Sequence, residues 1–207
     1  MNAPSYSVEE YLPSNFLNKT KNEPFIQKLM SMIFPETTWV PGNPDNFEPD
    51  YFCNGVPFEF TIASDSKKNN NFIQRIQRRA YVAESVDEDF FCYIRERIAD
   101  KATKKYSVHN VHLCVLCLLD LTSWVLDNYG SVTHGLADWP RQAFFEEIRT
   151  TYITTGIFSN IFILFPDMFA KWWIWDISTN RKSSIQFDDS VLKSGEYPYC
   201  ILKAQDE

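Results

Sequence analysis

Apolar residues along this chain change period several times, and each change marks a new element. Phe25, Ile26, Leu29, Met30 and Ile33 recur at helical spacing, and Glu23-Pro24 ahead of them suits a first turn, so a helix is predicted from there. Pro35 and the run Pro41-Gly42-Asn43-Pro44-Asp45 end it. Tyr51-Phe52-Cys53 and Val56 to Ile62 read as two strands joined by Asn54-Gly55, a strong hairpin signal. Phe72, Ile73, Ile76 and Ala80 return to helical spacing, with Arg75, Arg78 and Arg79 largely off that stripe. A further helix over about 87–105 carries Phe90, Phe91, Ile94 and Ile98, and its terminal lysines suit the negative end of a helix dipole.

Val111 to Leu119 is a continuous apolar run and reads as a buried strand. A short helix is expected near 123–128. A stronger one follows Asp138, with Pro140 early, Ala143, Phe144, Ile148 and Tyr152 on one face, and Gly156 as its stop. Asn160 to Phe165 and the tryptophan-rich Lys171 to Ile177 are strands, and 184–187 and 199–202 are short edge strands. The order helix, strand, strand, helix, strand, helix, strand predicts an α/β fold with a mixed central sheet flanked by helices. One domain over 1–207 is expected, with an N-terminal arm over 1–20 and a C-terminal edge-strand extension over 178–207.

Composition narrows the class of protein. Hydrophobic residues at 44% and aromatics at 16% suit a folded globule rather than a disordered chain. No apolar run is long enough to span a bilayer, and Met1-Asn2-Ala3-Pro4 opens no signal peptide, so a cytoplasmic protein without membrane partners is expected. The five cysteines are an odd number and read as reduced core residues. A net charge of −7 argues against a general polyanion binder, yet Lys67, Lys68, Arg75, Arg78 and Arg79 make a local basic segment.

The hairpin carries the chemistry. Pro49-Asp50 stands where one strand begins, and Glu59 lies mid-strand between Phe58 and Phe60. A carboxylate inside an apolar strand is costly unless paired, hydrogen-bonded or bound to a cation. Two such acids on one hairpin suit a hard divalent ion such as Mg²⁺ or Mn²⁺.

Pro49-Asp50, the hairpin, Glu59 and the basic helix together resemble the PD-(D/E)xK nuclease superfamily, the restriction-endonuclease-like fold. The resemblance implies a restriction-endonuclease-like core and metal-dependent cleavage of phosphodiester bonds in DNA, by an endo- or exonuclease. It makes Asp50, Glu59 and the Phe60 carbonyl the metal ligands. Thr61 stands where the family has lysine, so a cation or amide from the next helix would have to serve: Lys67, Lys68, Arg75, Gln77, Arg78 or Arg79. Gln77 to Tyr81 is similar to the Gln-xxx-Tyr signature of the RecB-like branch. Glu23 offers a third acid, although charge at a helix N-terminus explains it as well.

The missing lysine and the acidic balance also fit a different class, a nuclease-like protein that no longer cleaves. Such a protein would bind nucleic acid or a partner protein, as a phage or mobile-element modulator does. Other chemistries have weaker support. Cys114 and Cys117 near His109 and His112 suggest zinc, but on a strand the two thiols face opposite ways. No nucleophile turn accompanies a Cys–His pair, and no glycine-rich phosphate loop occurs. His134 in a glycine-flanked loop reads as an ordinary residue. Trp172, Trp173 and Trp175 are expected in the core; exposed, they would mark a base-stacking platform or a homodimer interface.

Overall fold

The computed structural model describes residues 6–11, 16–63, 89–118, 142–167, 171–188, 194 and 199–204. Its centre is a seven-stranded mixed sheet in the order β2-β3-β4-β5-β6-β7-β8: β2 (Trp39–Pro41), β3 (Tyr51–Cys53), β4 (Val56–Ala63), β5 (His112–Cys117), β6 (Asn160–Pro166), β7 (Lys171–Asp176) and β8 (Arg181–Gln186). The fold is therefore α/β. The pairs β4–β5 and β5–β6 are parallel and the other four antiparallel. Parallel neighbours need crossover connections. The helix α2 (Asp89–Ala102) lies in the first crossover, and α3, helical over 142–148 and continued by one π-helical stretch (Arg149–Ile153), lies in the second.

Strand parity divides the core into two layers. On one face, Phe25, Ile26, Leu29 and Met30 of α1 (Lys19–Ile33) pack with Phe58, Phe60, Cys114, Leu116, Phe162 and Leu164. On the other, Ile94 and Ile98 of α2 and Phe144 and Ile148 of α3 meet Leu113, Val115, Ile161, Ile163 and Phe165. Burial on both faces explains why β5 and β6 read as unbroken apolar runs. Cys114 and Cys117 indeed fall in opposite layers. Trp172 and Trp175 are buried on opposite faces, and half-buried Trp173 donates through Nε1 to Asp167. This strand is core.

Several expectations change. α1 begins at Lys19, behind Asn18, so Pro24 lies inside the helix rather than in its first turn. The first turn forms from residues that sequence periodicity does not mark, with Lys21 and Asn22 donating their N–H groups to the Asn18 carbonyl. The arm over 1–20 contains a strand, β1 (Tyr6–Tyr11), paired antiparallel with β9 (Tyr199–Ala204) in a separate two-stranded sheet. β2 escapes the sequence pattern because it has only three residues and ends in proline, which an edge strand tolerates. Ala143 is exposed rather than part of the inward face of α3, and Cys92 is exposed rather than a core residue. The helix expected over 123–128, the basic helix around 72–81 and His134 lie outside the described residues.

Candidate active site

The site begins with a two-residue turn. Asn54 and Gly55 both take positive φ, 49° and 84°, which joins β3 to β4 with Cys53 opposite Val56 and Tyr51 opposite Phe58. Continuing this register by one residue sets Asp50 beside Glu59. A second constraint comes from Gly42, whose N–H donates to the Asp50 carbonyl at 3.0 Å. A Cβ on Gly42 would come within 1.9 Å of the Pro49 carbonyl oxygen, so only glycine lets the two segments approach.

Asp50 is oriented by the backbone: its Oδ2 accepts from the Phe60 N–H at 2.8 Å. Its Oδ1 lies 3.3 Å from the ammonium of Lys19, which also sits 3.1 Å from Glu23 Oε1. The Lys19 ammonium is thus shared between the two carboxylates, and Glu23 Oε1 is buried against it. Burial raises the Glu23 carboxyl above the usual carboxylate range, and the charges of Asp50 and Glu59 push the same way against Lys19. For Lys19, burial pulls downward, but the charges of Asp50 and Glu23 outweigh it and the ammonium is held more firmly. The Lys19 side chain is nonetheless 65% exposed.

Glu59 is fully buried, and its partners come from α2 and the residues just after it. Lys101 Nζ donates to Oε1 at 2.5 Å, and Lys104 Nζ lies 2.9 Å from Oε1 and 3.0 Å from Oε2. Ile94, Ile98 and Lys101 fall on one helical stripe, so the lysine continues the line that enters the core. Thr61 shares the strand face of Glu59 and is half-buried. Tyr106 follows α2, with the Lys104 ammonium 5.1 Å from its ring centre. Burial, then the charges of Glu59, Asp50 and Asp100, raise its phenol far above the usual value, so it remains a neutral hydroxyl able to donate as well as accept. Its hydroxyl is buried without a partner. Tyr106 also lines an open polar recess of about 400 Å³ with His109, Asn110 and Gly156.

Three carboxylates and three ammonium groups thus gather at this end of the hairpin. Asp50 and Glu59 both belong to the hairpin, but each carboxylate has its own ammonium partners, Lys19 for Asp50 and Lys101 and Lys104 for Glu59. Lys67, Lys68, Arg75, Gln77, Arg78, Arg79 and Tyr81 lie outside the described residues. Lys19, Lys101, Lys104 and Tyr106 are site residues that the sequence motifs do not mark. The signal for Lys101 is its place on the inward stripe of α2, where a buried acid must answer it; helix-dipole complementarity explains a terminal lysine without requiring that partner.

A hard divalent cation suits this oxygen-rich donor set, because Glu23 Oε1 and Asp50 Oδ1 share one ammonium, that of the 65%-exposed Lys19. Both Glu59 oxygens, by contrast, are held by lysines. Among the described residues no group of three or more His, Cys, Asp or Glu side chains is placed to hold a metal ion. Mg²⁺ commonly takes one or two carboxylates and keeps several waters, so a two-carboxylate site is compatible with the donors present. Also among the described residues, no helix is long and apolar enough to cross a membrane. Compared with models of protein families, with curated proteins and with solved structures, the chain matches none.

Proposed function

We propose that this chain is a metal-dependent nuclease of the PD-(D/E)xK kind, hydrolysing phosphodiester bonds in DNA. The observation that carries the reading is the convergence of Lys101 and Lys104 on Glu59. These lysines supply, from α2 and the residues just after it, the positive charge that Thr61 cannot. The order α1, β2, β3, β4, α2, β5, with the acids on the β3–β4 hairpin, supports a restriction-endonuclease-like core.

Asp50, the Phe60 carbonyl and Glu59, the last after Lys101 or Lys104 releases one of its oxygens, would hold Mg²⁺ or Mn²⁺, with Glu23 as a neighbouring acid. A bound divalent cation supplies a lowered water pKa and charge neutralisation at the phosphate. The chain's own residues do the rest. The Phe60 N–H fixes the rotamer of Asp50. Lys101 and Lys104 hold positive charge where a phosphate oxygen or an attacking hydroxide would sit, and Thr61 and Tyr106 donate hydrogen bonds without changing charge.

A second reading has one specific observation in its favour. With both oxygens of Glu59 engaged by ammonium groups, the hairpin is also stable as a closed polar core. That would suit a nuclease-like protein that binds DNA or a partner protein without cutting. Incubation with single- and double-stranded DNA plus Mg²⁺ or Mn²⁺ separates the two. Metal-dependent cleavage that disappears in Asp50→Asn and Glu59→Gln supports the nuclease; DNA binding without cleavage in the wild type refutes it.

A further inference from the structure

Lys19 occupies an unfavourable place for a lysine. It is the first residue of α1, where the helix dipole is positive, and no acid in the first turn offsets it. Its i,i+4 pairing with Glu23 runs in the weaker sense, the cation preceding the acid. Helix stability therefore does not account for a lysine here. The two carboxylates do. Its ammonium lies 3.1 Å from Glu23 Oε1 and 3.3 Å from Asp50 Oδ1, within reach of both, as a bridging cation would be.

Exposure separates the lysine from its acids. The side chains of Glu23 and Asp50 are 17% and 11% exposed, against 65% for Lys19. The acids are also fixed, Asp50 by the Phe60 N–H and Glu23 by its place inside α1. Lys19 reaches them from solvent on a flexible stem, so its ammonium can return to water while the fold stays as it is. Once it turns away, no other cation among the described residues meets either acid, and two mostly buried carboxylates are left side by side. One ammonium leaves that pair with a net negative charge; a doubly charged ion neutralises it. The lysines on Glu59 are placed differently, Lys101 at 14% and Lys104 at 36% exposure against a fully buried acid. Of the three ammonium groups, that of Lys19 is the most readily replaced.

We propose that Lys19 is the resident cation of the Asp50–Glu23 pair and exchanges with the incoming divalent ion, so that it sets the affinity of the site. Without metal, the ammonium keeps the two acids together. With metal, it is released to solvent. This rests on the metal site of the nuclease reading, and its measurement needs neither DNA nor turnover.

The test is Mn²⁺ binding by the full chain, followed by electron paramagnetic resonance of the free ion. Lys19→Met keeps the stem and removes the charge, and should bind Mn²⁺ roughly five- to ten-fold more tightly than the wild type. Lys19→Arg keeps the charge and should bind it no more tightly than the wild type. Added Mn²⁺ should also raise the unfolding temperature of Lys19→Met by more than that of the wild type, which shows that the variant is folded. Release of the ammonium is read by mass spectrometry: Mg²⁺ should speed acetylation of Lys19 relative to the exposed Lys105. Equal or weaker Mn²⁺ binding by Lys19→Met, tighter binding by Lys19→Arg, no binding by wild type and Lys19→Met alike, or acetylation indifferent to Mg²⁺ would overturn the proposal. Tighter binding by Lys19→Met without DNA cleavage by either form sinks the nuclease and leaves the exchange. Metal-dependent cleavage with Mn²⁺ affinity unchanged in Lys19→Met sinks the exchange alone.

Discussion

Glu59 shows how one side chain couples stability to chemistry. A fully buried carboxylate is tolerable because two ammonium groups meet it, and removing them leaves a charge with no counterpart. Lys101→Met with Lys104→Met should therefore cost about 3–5 kcal/mol in urea unfolding at neutral pH. The same pair made on Glu59→Gln should cost far less. Additive costs in that cycle would mean that the three groups are not coupled. Only half of this coupling is visible in the sequence: Glu59 between two phenylalanines announces an acid in need of a partner, but no residue near it in the chain names Lys101.

His112 makes a separate prediction with a defined sign. Its ring packs against those of Phe58 at 5.0 Å and Phe162 at 6.1 Å, and its Nδ1 is buried without a hydrogen bond among the described residues. Burial lowers its pKa below the ordinary 6.5, with the charge of Asp176 acting in the opposite direction. The unfolded chain thus takes up a proton near 6.5 that the folded chain refuses. Stability from this group is complete above 6.5 and declines as the pH falls toward the folded pKa. His112→Phe should lose less stability between about pH 7.5 and about pH 5.5 than the wild type does. Identical losses in the two would show that this imidazole is not responsible.

Among the elements, the two glycines around the hairpin separate shape from strain. At Gly55, φ is +84° and an added methyl would meet nothing within 4 Å, so Gly55→Ala should cost about 1–2 kcal/mol through backbone strain alone. Under the proposed nuclease reading, DNA cleavage by that variant should persist at temperatures where it remains folded. Gly42→Ala forces a methyl into the Pro49 carbonyl and must move the backbone that carries Asp50. It should lose most of its cleavage activity, read against DNA binding as the control. The reverse pattern would place the two glycines in the wrong roles. Asn54-Gly55 is legible in the sequence because turn chemistry is local. The roles of Gly42, of β2 and of the β1–β9 pair are not, because each depends on a segment distant in sequence and too short to show a period.

Over the whole molecule, the α/β class and the two-layer core follow from unbroken apolar runs alternating with amphipathic helices, since burial on both faces of β5 and β6 leaves no polar positions. Within an overall balance of −7, Lys19, Lys101 and Lys104 at the hairpin are matched by Glu23, Asp50 and Glu59, so this end is locally balanced rather than acidic. The carboxylate pair is the element on which the functional account turns, and Mn²⁺ binding measures it without requiring turnover. Free Mn²⁺ followed by electron paramagnetic resonance during titration should reveal saturable binding to the wild type, weakened more than about tenfold in both Asp50→Asn and Glu59→Gln. Absence of saturable binding in the wild type, or wild-type affinity in either variant, would contradict the account.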